Sequence, residues 1–199
     1  MSDALLRLSG VACARGGRLL LRGVDLDLAP GDAMVLAGPN GIGKSSLLRL
    51  CAGLLPAFAG LVERRGGVAL AEDRLALDPA LPLRDALAFW GRIDRAPRHR
   101  LAQALEAMAL ELLADVPVRM LSTGQRKRAT LARTILSGAP IWLLDEPANG
   151  LDDHALRLLG MAMAGHIAGG GLLLAASHQP LPLIGATTID LGAHRALAA

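Results

Sequence analysis

Hydrophobic and polar positions alternate along residues 4–11 and again along 19–28, with Arg15, Gly16, Gly17 and Arg18 between them. Successive side chains of a strand point to opposite faces, so this pattern predicts two half-buried strands paired antiparallel around a turn. Pro30-Gly31 then marks a turn, and 34–37 is a short apolar run that reads as a buried strand. A glycine-rich loop leads into apolar positions at helical spacing over 44–52. Helical spacing returns over 98–113, 122–137 and 153–168, while 141–144 and 172–176 are further short apolar runs. Strands that alternate with helices predict an α/β fold, a mostly parallel sheet with helices on its faces. No internal repeat, low-complexity tract or linker interrupts the chain, which reads as a single domain over 1–199.

Composition narrows the picture. Hydrophobic residues make up 52% of the chain, yet no run approaches the roughly 18 residues that span a bilayer. The apolar content is therefore core, or surface that a partner covers. Asp3 and polar neighbours break the first apolar stretch, so a secretory leader is not expected. Cys13 and Cys51 match no metal or redox spacing, so a reducing cytoplasm is expected. The net charge is +3, without a Lys/Arg block or interleaved aromatics, and no nucleic-acid partner is expected. His99, His154, His166 and His194 are read as surface histidines without a role.

Chemistry first enters at Gly38, Pro39, Asn40, Gly41, Ile42, Gly43, Lys44, Ser45 and Ser46. This is G-x-x-x-x-G-K-[ST], set between a predicted strand and a predicted helix, as its mechanism requires. Glycines let backbone N–H groups turn inward around the α- and β-phosphates, and the helix N-terminus adds its positive end. Lys44 would reach the β- and γ-phosphates, and the Ser45 hydroxyl would ligate Mg²⁺. The apolar strand 141–144 ends in two adjacent carboxylates, Asp145 and Glu146. Open α/β sheets bind ligands at that end of their strands. Asp145 is placed to hold Mg²⁺, and Glu146 to polarise a water for attack on the γ-phosphate. Alone, such a strand end could be a solvated acidic turn; a phosphate loop upstream favours the catalytic reading.

Leu121, Ser122, Thr123, Gly124 and Gln125 separate one family from other nucleotide hydrolases. The stretch resembles the LSGGQ signature of ABC ATPases, with Thr123 in place of the first glycine. Phosphate loop, signature, Asp-Glu strand end, Leu151-Asp152 and His178 follow in that family's order across nearly the whole chain. The resemblance implies an ABC cassette of the P-loop NTPase class with an N-terminal antiparallel element and a small helical subdomain at about 76–138. It implies ATP and Mg²⁺ as ligands and integral-membrane transporter subunits as partners. It also implies an ATP-dependent head-to-tail dimer, in which Ser122, Thr123, Gly124 and Gln125 of one subunit cover the nucleotide of the other. Asp152 matches the loop that crosses that interface, and His178 the histidine that contacts the γ-phosphate. Arg126, Lys127 and Arg128 are read mainly as a solvated helix face.

Within the family, 135–147, 177–181 and the short total length are similar to the ATP-binding subunit of the haem exporter of cytochrome c maturation. That subunit works peripherally on the cytoplasmic side of the bacterial inner membrane, and it is not expected to ligate haem. A small ABC transporter of other substrate, or a cassette that binds ATP with little hydrolysis, remain alternatives. Two departures bear on them. No aromatic stands where the first hairpin stacks on adenine, and Arg15 is the nearest match. The glutamine that normally follows the strand at 68–71 is missing; Asp73 takes its place as a third metal-side residue, with Glu72 and Arg74 as register alternatives. Leu75, Leu77, Leu81, Leu83, Leu87 and Trp90 either form a groove for a membrane subunit or are subdomain core.

Overall fold

In a computed structural model the chain is described for residues 3–72 and 76–196. The first hairpin forms as expected: β1 (Leu5–Arg15) and β2 (Arg18–Leu28) pair antiparallel, with Arg15 opposite Arg18. The parallel sheet begins with β3 (Ala33–Ala37), from which the phosphate loop leads to α1 (Lys44–Cys51). An unexpected strand, β4 (Ala59–Arg65), adds to the far edge of β1. Its residues are nearly all exposed or half-buried, so it carries no inward hydrophobic face for a period of two to reveal. β5 (Val68–Ala71) follows, then α2 (Leu83–Ile93), α3 (Arg98–Ala107) and α4 (Thr123–Ser137). The helix expected over 98–113 ends early. Ala109 takes a left-handed φ of 48°, and Glu111–Leu113 form a separate 3₁₀ turn. β6 (Ile141–Asp145), α5 (Asp153–Ala168), β7 (Leu172–Ala176) and a second unexpected strand, β8 (Thr187–Asp190), complete the chain.

The parallel sheet has the order β5-β6-β7-β3-β8. Its central strands are buried on both faces, which is why they read as continuous apolar runs. Alternate residues feed two cores. Trp142, Leu144, Leu173 and Ala175 join Leu83, Leu87, Leu131 and Leu159 on the α2–α5 side. Ile141, Leu143, Leu172 and Leu174 join Leu6, Leu21, Leu47 and Leu48 under the β1–β2–β4 sheet. One face is thus covered by helices, the other by α1 and an antiparallel sheet. Because β3, β6 and β7 run parallel, the phosphate loop, Glu146 and His178 all leave from one edge of the sheet.

Candidate functional site

β3 delivers the chain into a loop whose Gly38, Gly41 and Gly43 have φ values of 137°, 78° and 122°. Side chains are strained in that region of φ, so only glycine closes this loop without cost. Lys44 opens α1 with 7% exposure. Its Nζ donates to the Gly38 carbonyl at 2.7 Å and lies 3.9 Å from Glu146 Oε1. Arg15, Asn40, Lys44, Ser45, Ser46 and Glu146 line a cavity of about 460 Å³ at the mouth of the loop. Pro39 and Ile42 lie on the other side of the loop, where Ile42 N–H donates to the Pro39 carbonyl at 3.3 Å.

β6 brings the carboxylates. Its register sets Asp145 opposite Ala176, and Glu146 N–H donates to the Ala176 carbonyl at 2.8 Å. Glu146 has a φ of 45°, a left-handed conformation outside the usual range for a side-chain-bearing residue. Such a conformation costs on the order of 1 kcal/mol or more and persists where the surroundings enforce it. Here it turns the carboxylate between Lys44 and His178. Glu146 Oε2 accepts from His178 Nδ1 at 2.7 Å and from the His178 backbone N–H at 3.3 Å. Ser177 braces that turn: its hydroxyl donates to the Gln179 carbonyl and accepts from the Gln179 N–H.

The oxygen donors fit a hard divalent cation. Ser45 lines the cavity from the first turn of α1, and Asp145 ends β6, which packs against that helix. Among the described residues no three His, Cys, Asp or Glu converge on a metal. A Mg²⁺ here would complete its shell with phosphate oxygens and water, as that ion does in nucleotide enzymes. Asp73, the expected third metal-side residue, lies outside the described residues, as does Arg74. Glu72 is described, and its Oε1 accepts from Arg49 Nε at 2.5 Å. The sequence reading did not single out Arg49, although its place four residues after Ser45 puts both on one helix face.

The signature segment stands at the N-terminus of α4. Ser122 Oγ accepts from the Gln125 N–H at 3.3 Å, and Gln125 Oε1 accepts from the Ser122 N–H at 2.8 Å, a reciprocal capping box. Thr123 is exposed, so a side chain fits where the family has glycine. Gly124 has less room: a Cβ there would lie 3.1 Å from the Gly150 carbonyl oxygen. Asp152 caps α5, accepting from the Ala155 N–H at 2.8 Å. Its carboxylate is thus engaged in a helix cap, apart from the Lys44–Glu146–His178 group.

Two expectations change, and one open alternative closes for most of its residues. Of the basic triplet only Arg126 is exposed; Lys127 is buried and reaches the Asp145 carbonyl at 3.4 Å. Arg128 donates to the Met108 and Ala109 carbonyls at the end of α3, which the sequence could not reveal because that contact is tertiary. His166 is half-buried rather than solvated: it stacks on Trp142 with ring centroids 4.0 Å apart, and burial lowers its pKa. Leu77, Leu83 and Leu87 are subdomain core, Trp90 packs against it, and Leu81 is exposed. Leu75 lies outside the described residues.

Comparison with known proteins gives one direction. Residues 21–149 match the family model described as ABC transporter. The "Cytochrome c biogenesis ATP-binding export protein CcmA" of Novosphingobium aromaticivorans is 56% identical over 183 residues, covering 92% of this chain and 93% of that protein. The protein of the same description from Sphingopyxis alaskensis is 57% identical, covering 90% of this chain and 92% of its own. Among solved structures, a putative ABC transporter ATP-binding protein from Pyrococcus furiosus has a TM-score of 0.83 at 20% identity, covering 96% of this chain and all of the other. That likeness speaks for the fold alone.

Proposed function

We propose, of a chain that belongs to the ABC transporter family of ATP-binding proteins, that it is the ATP-hydrolysing subunit of an exporter serving cytochrome c biogenesis. The observation that carries hydrolysis is the Lys44–Glu146–His178 group at the mouth of the phosphate loop, with contacts of 3.9 and 2.7 Å. Lys44 holds the β- and γ-phosphates. Glu146 orients a water for in-line attack and takes its proton. His178 donates to Glu146 through Nδ1 and thereby fixes the carboxylate; its Nε2, 3.5 Å from the Gln179 side-chain nitrogen, would donate to a γ-phosphate oxygen as the imidazolium. Gly38 to Ser46 form the cradle, and Arg15 offers a guanidinium plane beside it for the base. Bound through Ser45 and Asp145, Mg²⁺ would neutralise charge that develops on the phosphates.

Family membership makes membrane subunits the partners. The finer reading is a head-to-tail dimer in which Ser122, Thr123, Gly124 and Gln125 cover the nucleotide of the opposite subunit. No acidic side chain occupies the first turn of α4, so its positive end is left for an incoming anion. Asp152 holds the start of α5 at the same interface. No helix among the described residues is long and apolar enough to cross a membrane. Attachment to the cytoplasmic face of the inner membrane is proposed through the partners, with Leu81, Phe89 and Ile93, exposed by 38%, 47% and 55%, as the docking face. The exported compound is haem, which this subunit does not ligate.

One observation favours a slower cassette: a carboxylate, Glu72, directly follows β5 where the family places a glutamine nearby. A single experiment addresses both readings. Deleting the gene should abolish covalent c-type cytochromes, read by haem staining of membrane fractions on denaturing gels, while b-type haem proteins persist. Wild type should restore the bands; Lys44→Ala and Glu146→Gln should not. Normal c-type bands in the deletion strain would mean another substrate, and rescue by Glu146→Gln would mean that hydrolysis is dispensable.

A further inference from the structure

The P-loop helix carries a charge that the hydrolytic group does not use. Ser45 and Arg49 are four residues apart on α1, so they share a face. β5 and β6 are parallel neighbours with Ala71 opposite Leu144, which brings Glu72 and Asp145 to the same level at the strand ends. Adjacent strands lie about 4.8 Å apart, so two carboxylates end side by side at the edge where phosphates are to bind. Arg49 Nε donates to Glu72 Oε1 at 2.5 Å, with side-chain exposures of only 29% and 18%. The Glu72 bond raises the pKa of Arg49, and Asp145 acts on it in the same direction. A guanidinium has five N–H donors in a fixed fork, and Nε uses one.

We propose that Arg49 is a positioning residue of the nucleotide site: it supplies the counter-charge that lets Glu72 stand beside Asp145, and it ties the end of β5 to the face of the P-loop helix that bears Ser45. The inference rests on the nucleotide-site reading above. Triphosphate entering this edge meets both carboxylates: Lys127 stands at Asp145, and Arg49 is the cation held on Glu72, whose charge without it would face the phosphates and call for metal. The pair therefore sets how strongly nucleotide binding depends on Mg²⁺. A pair that merely braced the fold would change stability but not that dependence.

The test is binding of ATP to the purified full-length chain by titration calorimetry, with Mg²⁺ and with excess chelator, which reads neither hydrolysis nor export. The quantity is the ratio of the metal-free to the Mg²⁺-loaded Kd. Arg49→Met should raise that ratio about tenfold, and Glu72→Gln should lower it about threefold, as charge removal beside a partly buried site implies. The double variant should return to within about threefold of wild type, since coupled residues are non-additive. A double variant with the same ratio as Arg49→Met overturns the proposal, as does an Arg49→Met chain with the wild-type ratio. If Arg49→Met does not fold, Glu72→Gln decides against the control Glu111→Gln, an exposed carboxylate of the helical subdomain, and an unchanged ratio overturns it. Lys44→Ala separates the two levels: if it binds ATP as well as wild type, the nucleotide-site reading itself fails, whatever Arg49 does.

Discussion

Burial pushes the Cys51 thiol up to about 12, with Arg64 opposing weakly, and burial also raises Cys13. A thiol in the unfolded chain ionises near 9.0. Between these values the unfolded state releases its proton while the folded state keeps it, so this contribution is whole below pH 9 and lost as pH rises toward 12. Neither thiol should react with a disulfide reagent at pH 8 without denaturant, and the urea midpoint should fall less steeply above pH 9 in Cys51→Ala than in wild type. Rapid native labelling of Cys51, or parallel alkaline slopes in the two proteins, would contradict this. At the same scale, the identity of Glu146 and its place after an apolar strand are legible in the sequence, because a carboxylate pair at a strand end beside a phosphate loop has few other uses. Its left-handed φ of 45° is not, since nothing in the local sequence demands it; it accompanies the bonds to Ala176 and His178. Arg49 is illegible for the opposite reason, as a lone arginine in a helix has a solvated reading until Glu72 is placed beside it.

At the scale of elements, legibility followed the presence of an inward face. β1, β2, β3, β6 and β7 bury a face or both, and their apolar patterns gave them away. β4 and β8 bury almost nothing, so they exist by pairing alone and leave no periodic trace. The end of α3 is likewise set from outside, by Arg128 of α4 holding the Met108 and Ala109 carbonyls. The start of α4, by contrast, was written in Ser122 and Gln125. That box separates a cap from a ligand. Ser122→Ala and Gln125→Ala should each destabilise by about 1 kcal/mol, a fall in Tm of roughly 2–4 °C for a chain of this size. Of these two side chains, Gln125 folds back on the Ser122 N–H at 2.8 Å, whereas the Ser122 hydroxyl is the one proposed to reach nucleotide across a dimer. Its loss should therefore reduce ATPase rate by a further factor that Gln125→Ala, with its hydroxyl intact, does not show. Equal losses of rate and Tm in both variants would reduce Ser122 to a helix cap.

For the whole molecule, two filled cores on either side of one sheet leave the phosphate loop open at the ends of the strands. Both cores are filled, yet the edge with Lys44, Glu146 and His178 opens on one side, and α4 presents Ser122 and Thr123 to solvent elsewhere on the same chain. A second copy, turned head to tail, would bring one edge against the other and close two nucleotide sites at once, since a two-fold contact repeats every interaction. In that arrangement ATP would bridge the copies, and hydrolysis would release them. Glu146→Gln keeps the shape of the side chain and its contact with His178 while removing the base, so turnover should fall roughly 10²–10⁴-fold. Nucleotide should then persist and hold the dimer. Multi-angle light scattering of Glu146→Gln with Mg²⁺ and ATP should report twice the mass seen without nucleotide, and adding Ser122→Ala should weaken that association. Lys44→Ala should stay monomeric because it fails at the earlier step of holding phosphate. The measurement is repeated with the membrane subunits in detergent, where tethering raises the local concentration of the two cassettes. A Glu146→Gln chain that remains monomeric with ATP alone, and shows no ATP-dependent closure in the complex, would rule out the shared-site mechanism while leaving nucleotide binding by the single chain intact.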